Sequence, residues 1–147
     1  MKLSCGILPY KIDNGKIKVY LSRFGGPFWK NKKRSWGIIK GEVKEGESCL
    51  NGAKREFFEE TGKRADGDFT DLGEAKSSNK IIRVFALKGD FDTKINSNLA
   101  EVKYKGEIFK FPEIDRVEWF DIDKAKERIV KSQEIFLERL ERMVAGE

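Results

Sequence analysis

Between Gly41 and Gly62 the chain reads GEVKEGESCLNGAKREFFEETG, and Glu47, Arg55, Glu56, Glu59 and Glu60 are spaced within it for joint chemistry. A glycine-rich turn runs into a segment in which Leu50, Ala53 and Phe57 recur at helical spacing, so one face is expected to be buried and the acids to lie on another. Side chains three and four apart on a helix are neighbours, so Glu56, Glu59 and Glu60 are expected as a compact carboxylate cluster. Such a cluster is costly without a cation, and hard divalent metal is the natural one. Mg²⁺ is expected, with Mn²⁺ as a substitute, because Mg²⁺ takes oxygen ligands, keeps several waters and shares its remaining positions with substrate phosphates. The segment therefore points to phosphate chemistry.

The elements that must hold these residues are legible around them. Leu3 to Leu8 and Ile17 to Ser22 are short apolar or alternating runs separated by Asp13-Asn14-Gly15, whose Asn-Gly is a hairpin signal, so the first two strands are expected to be antiparallel. The loop from Phe24 to Arg34 mixes turn formers, two aromatics and a basic run. Beside a metal-phosphate site, Lys30, Lys32, Lys33 and Arg34 are expected to meet a polyphosphate, and Phe28 or Trp29 to stack on a base. Ser35 to Ile39 reads as a short strand entering the segment, with a turn at Lys40-Gly41. Glu47 or Ser48 is expected to start the helix, and Gly62 suits the left-handed position just past its end.

Asp71 to Ala75 and Lys80 to Leu87 read as further strands. From Asp90 to Lys110 no steady period appears, and a long loop with a short strand around Ile108 to Phe111 is expected. Val117 to Phe120 reads as the last strand, Asp123 as the cap of a helix carrying Ala125 and Ile129, and Phe136, Leu140 and Met143 as the core face of a terminal helix. Mixed strands with helices in the middle and at the end predict an α/β sandwich.

Composition removes competing chemistries. The chain contains no histidine, which excludes a Ser-His-Asp triad, His-ligated zinc and a histidine nucleotidyl intermediate. Its two cysteines, Cys5 and Cys49, do not form a metal-like pair. Thirty Lys and Arg against 25 Asp and Glu give a net charge of +5, which favours anionic partners without separating nucleotide from RNA. At 147 residues one domain over 1–147 is expected. No apolar run has the length of a signal peptide core or a membrane span, so a cytoplasmic protein with no membrane partner is expected, its oligomeric state open.

The quoted segment also resembles the signature of the Nudix hydrolases, with Gly41, Glu47, Arg55, Glu56, Phe57, Glu59, Glu60 and Gly62 all in register. Lys63 departs from it, standing where the family has an aliphatic residue; a local change at the helix exit is expected there, with the chemistry kept. The resemblance implies a Nudix-type α/β/α sandwich with a mixed central sheet. It implies Glu56, Glu59 and Glu60 as metal-binding glutamates, with a backbone carbonyl of Lys40 or Gly41 as a further ligand. Arg55 is read as a fork that pairs with Glu47 and holds the loop against the helix. It further implies a general base outside the helix, with Glu113 as the candidate and Glu101 and Glu107 as alternatives.

The activity so implied is metal-dependent hydrolysis of a pyrophosphate bond in a nucleoside diphosphate derivative, with nucleoside triphosphates and dinucleoside polyphosphates foremost. Two other readings stand beside it. One is an RNA 5′-end pyrophosphohydrolase, supported by the basic run from Lys30 to Arg34. The other is a non-catalytic nucleotide-binding module, against which the intact acid set argues.

Overall fold

The computed structural model describes residues 2–95 and 99–146. Its first hairpin joins β1 (Lys2–Asp13) to β2 (Lys16–Phe24) through Asn14 and Gly15, whose φ angles of 52° and 76° are the pair a type I′ turn requires. Beyond the turn the two strands separate. Only Tyr10–Asp13 of β1 pair with Lys16–Val19 of β2, and the gap that opens is filled by the next two strands. β3 (Trp36–Gly37) pairs with Ser22 and Arg23 of β2, while β4 (Ile39–Glu42) pairs antiparallel with Ser4 to Ile7 of β1. The chain thus crosses from one splayed strand to the other at Ile38, whose N–H donates to the buried Gln133 Oε1 at 2.8 Å.

β5 (Phe69–Ser77) and β6 (Lys80–Lys88) extend the sheet, β6 running parallel to β1, and β9 (Ile114–Asp121) lies antiparallel to β2. Alternation sends side chains to two faces. Leu8, Val19, Leu21, Ile38, Val84 and Ala86 meet α2 (Ile122–Arg128) and α3 (Glu134–Val144) through Ala125, Phe136, Leu137 and Leu140. Ile7, Tyr20, Ile39 and Leu87 meet α1 (Cys49–Thr61) through Ala53 and Phe57. The result is an α/β/α sandwich around a mixed sheet.

Two expectations are corrected. The stretch read mostly as loop contains a separate two-stranded ribbon, β7 (Leu99–Tyr104) and β8 (Glu107–Pro112). Its turn is Lys105-Gly106 with φ of 51° and 80°, so lysine holds the left-handed position that Asn or Asp normally signals in a sequence. At α2, the residue before the helix is Asp121, which makes no side-chain capping bond, and Asp123 sits inside the first turn. Met143, in the last turn of α3, is only partly buried, packed against the core. No helix among the described residues is long and apolar enough to cross a membrane.

Cys5 in β1 and Cys49 at the start of α1 form a disulfide across a sequence separation of 44. It ties the first turn of α1 to the strand that carries β4. Replacing both cysteines by serine, or reducing the protein, is expected to cost about 3 kcal/mol of stability through the freed denatured chain. A chemical denaturation midpoint measured with and without reductant checks this; coincident curves would show that the bond contributes nothing.

Candidate functional site

α1 is set by its ends. Ser48 caps it, its Oγ accepting the N–H of Asn51 at 3.1 Å, and Gly62 with φ of 75° closes it by donating its N–H to the Phe58 carbonyl. Lys63 then turns its ammonium to Asp92 and the Lys94 carbonyl, while its N–H donates to Thr61 Oγ1 at 3.1 Å. The departure from the signature is therefore an anchor between the helix exit and the segment after β6. Asp92 is held below the usual carboxylate range, first by its hydrogen bond from Lys63. The same segment is held by Tyr20 Oη, which donates to the Asp92 carbonyl at 2.7 Å, and by Trp119 Nε1, which donates to the Phe91 carbonyl at 2.9 Å.

Arg55 organises the acids. Its Nε donates to Glu47 Oε2 at 2.8 Å, and Nη2 donates to Glu47 Oε1 at 3.1 Å and to the Glu42 carbonyl at 3.0 Å. Nη1 donates to Glu56 Oε1 at 2.8 Å and Glu59 Oε2 at 3.2 Å. Glu47 accepts in addition the Lys44 N–H at 3.0 Å, which fixes the loop ahead of the helix. These contacts hold the Glu47 carboxyl down to about 2, the Arg55 hydrogen bond being the largest cause and the Lys44 N–H the next. Gly52 has a role here as well: a Cβ on it would come within 3.0 Å of Glu47 Oε1.

The Glu56 carboxyl group lies against Gly41, where an added Cβ would overlap it. Glu60 lines a cavity of about 300 Å³ and is only 4% exposed. With Arg55 drawn in among Glu47, Glu56 and Glu59, the acids are less compact than expected: no three Asp, Glu, Cys or His side chains among the described residues converge tightly enough to cage an ion. An all-oxygen set with this open arrangement still fits a hard divalent ion that keeps waters and completes its shell with phosphate oxygens.

The cavity beside Glu60 brings together Phe24, Trp29, Lys40, Glu113 and Ile114. Phe24 and Trp29 meet at a tilt of 42° with 4.7 Å between ring centroids, and Phe28 meets Trp29 edge-on at 5.2 Å with the Lys32 ammonium over the Phe28 ring. Glu113 is drawn in by a backbone bond from Gly25 N–H to its carbonyl at 2.9 Å, an approach that a side chain at position 25 would block because the Pro112 carbonyl occupies that space. Burial, and then Lys80, push the Lys40 ammonium down while Glu56 pulls it back.

Of the residues singled out from the sequence, Trp29, Lys40, Glu60 and Glu113 line one cavity. Phe28 lies at its edge through Trp29 and is 68% exposed, and Lys30 is exposed in the same loop. Arg34 is placed differently: its Nη1 donates to the carbonyls of Lys126 and Ile129 at 3.0 and 2.8 Å, closing the end of α2. That takes it out of the proposed phosphate-binding set. Glu101 pairs with Lys110 on the ribbon at 3.5 Å, and Glu107 is exposed at the start of β8. Sequence reasoning passed over Phe24, Ser22 and the side chain of Lys40; the Gly25-Gly26 pair was the available signal that backbone approaches closely there.

The model of a family described as NUDIX domain matches residues 7–140, so the chain belongs to that family, whose hydrolases act on nucleoside diphosphate derivatives and generally use divalent metals. No curated protein sequence matches it. Among solved structures, an Ap4A hydrolase of C. elegans in a binary complex is similar at TM-score 0.67 and 18% identity, covering 100% of both chains. The NUDIX domain of Shewanella oneidensis NrtR complexed with ADP ribose is similar at TM-score 0.69 and 14% identity, covering 98% of this chain and 88% of that one. A Listeria monocytogenes protein described as a putative NUDIX hydrolase is similar at TM-score 0.70 and 16% identity, covering 99% and 97%.

The Glu47–Arg55 pair has a pH signature. With its folded value depressed, Glu47 contributes stability that is complete above the ordinary value of 4.5 and is lost as the pH falls through about 2. A ¹³C titration of the Glu47 carboxyl is expected to give a midpoint near 2, as that depressed value requires, and to return to the ordinary range in Arg55→Ala. An ordinary midpoint in the parent protein would dissolve the pair.

Proposed function

We propose that this NUDIX-family chain hydrolyses a pyrophosphate bond in a nucleoside triphosphate or dinucleoside polyphosphate with the help of Mg²⁺. One observation carries the reading: a single cavity contains a pair of aromatic rings in contact, a half-buried ammonium and two carboxylates on separate elements, Glu60 on α1 and Glu113 at the β8–β9 junction. Each group answers to one part of such a substrate. The Trp29 face, backed by Phe24, offers a base a stacking surface, and Lys40 offers a charge to phosphate oxygens.

Glu56, Glu59 and Glu60 are the proposed carboxylate ligands of the metal, with a carbonyl of Lys40 or Gly41 beside them. When bound, Mg²⁺ supplies charge neutralisation on the phosphate and lowers the pKa of a bound water. Until then Arg55 is the counter-ion of Glu56 and Glu59 and directs both. Glu47 holds Arg55, and through it the loop that starts the helix. Glu113, exposed, lining the cavity and carried by the β8–β9 junction instead of α1, is the proposed acceptor of the proton of the attacking water.

A second reading rests on the three exposed lysines Lys30, Lys32 and Lys33 beside the exposed Phe28, which suit the 5′ end of an RNA. Purified protein with Mg²⁺ and a panel of nucleoside triphosphates, dinucleoside polyphosphates and 5′-triphosphorylated RNA, analysed by mass spectrometry in H₂¹⁸O, separates the two and identifies the phosphorus attacked. Turnover of free nucleotides is expected, and release of pyrophosphate from RNA alone would select the second reading. Glu59→Gln and Glu60→Gln are expected to lower kcat on the order of 10³-fold with the fold intact by circular dichroism, while Trp29→Ala is expected chiefly to raise KM. Unchanged turnover in either glutamine variant would remove the metal role.

A further inference from the structure

Around α1, at 100° per residue, the side chains succeed one another in the order Glu60, Glu56, Glu59, Arg55, Phe58, Lys54. The cavity with Trp29 lies at the first end of this arc. At the other end is a second cleft, of about 270 Å³, formed by Lys54, Arg55 and Phe58 of the helix and Arg64, Ala65 and Asp66 of the turn after it. Of its lining, the catalytic reading uses Arg55 alone.

Two features of the cleft are unexplained by folding. Phe58 is 51% exposed although its neighbour Phe57 is fully buried in the core, so a large ring faces water on the surface of a well-anchored helix. Lys54 and Arg64 form no ion pair among the described residues, and the Lys54 ammonium rests only over the Phe69 ring at 4.9 Å. Arg55, whose guanidinium is committed to Glu42, Glu47, Glu56 and Glu59, forms a rigid shared wall between the cleft and the carboxylates.

We propose that this cleft binds a nucleoside phosphate. Lys54 and Arg64 supply two cations for phosphate oxygens, the Phe58 ring supplies a stacking face for a base, and the exposed Asp66 carboxylate accepts from ribose hydroxyls. At about 270 Å³ the cleft lies just below the usual range of ligand sites, room for no more than one nucleotide unit. The ligand has two sources: the distal nucleoside of a dinucleoside polyphosphate whose phosphates cross Glu56 and Glu59, or a separate mononucleotide. The first source rests on the hydrolase reading above, whereas the cleft itself does not.

Amide shifts of ¹⁵N-labelled full-length protein, titrated separately with AMP and with a methylene-bridged, non-hydrolysable dinucleoside tetraphosphate, test this. Shifts at Lys54, Phe58, Arg64 and Ala65 are expected in addition to those near Trp29. Cleft and Trp29 saturating together at one dinucleotide per chain would assign the distal nucleoside, and AMP filling the cleft independently would assign a separate nucleotide. The double variant Lys54→Glu, Arg64→Glu and the single variant Phe58→Ser are each expected to weaken binding at the cleft by ~10-fold or more and to leave the Trp29 shifts in place. The proposal is overturned if neither ligand moves the cleft amides, or if both variants bind there as the parent does. Cleft shifts in a protein that turns over no nucleotide would support the cleft and remove the hydrolase reading.

Discussion

Everything at the site depends on one guanidinium. Arg55 directs its planar fork of N–H groups at three carboxylates and a backbone carbonyl, and these acceptors belong to β4, the loop after it and α1 itself. Three acids so close on a short segment would repel one another in any fold lacking this cation. The pair with Glu47 is half-buried and bidentate, the geometry in which an arginine–carboxylate contact is most directional. It locks the glycine-containing loop onto the helix, and Glu56 and Glu59 are held ready by the remaining nitrogens. Lysine, with one point charge on a flexible stem, cannot serve so many partners in fixed directions.

That clamp needs a rigid base, and the sheet provides it by an unusual division of its first hairpin. Because β1 and β2 pair only near their turn, the segment from Trp36 to Glu42 is inserted between them and is hydrogen-bonded on both sides. Lys40 and Gly41 are thereby held at the middle of the fold with little freedom. Two glycines then permit close approach: Gly41 leaves room for the Glu56 carboxyl group, and Gly25 leaves room for the Pro112 carbonyl, which brings Glu113 to the cavity. The disulfide between Cys5 and Cys49 joins the same strand to the first residue of α1. Strand, loop and helix are thus linked by hydrogen bonds, charge and a covalent bond within a short stretch of structure.

Much of this was legible in the residues. The Asn14-Gly15 hairpin, the Ser48 and Gly62 ends of α1, the burial of Ala53 and Phe57 and the pairing of Arg55 with Glu47 all follow from local rules: turn stereochemistry, capping, helical period and the match of a fork to a carboxylate. The ribbon of β7 and β8 was not, because its turn uses lysine in a left-handed conformation and carries no turn signature. Arg34 was assigned to substrate from its basic neighbours, yet its partners are the carbonyls of Lys126 and Ile129, more than ninety positions away in sequence. Charge along a chain does not reveal which carbonyls a fold will leave needing a donor.

What the sequence by itself determined is the inventory and local geometry of the acid helix, the absence of histidine chemistry and the alternation that builds a two-faced sheet. These are set by residues within a few positions of one another. Only the tertiary structure decided that Glu60 faces a different cavity from Arg55, that Phe24 joins Trp29, that Glu113 arrives from the far end of the chain, and that Cys5 meets Cys49. Such encounters depend on which strands pair and where backbones approach closely enough to touch, and that is settled by the packing of the whole sheet.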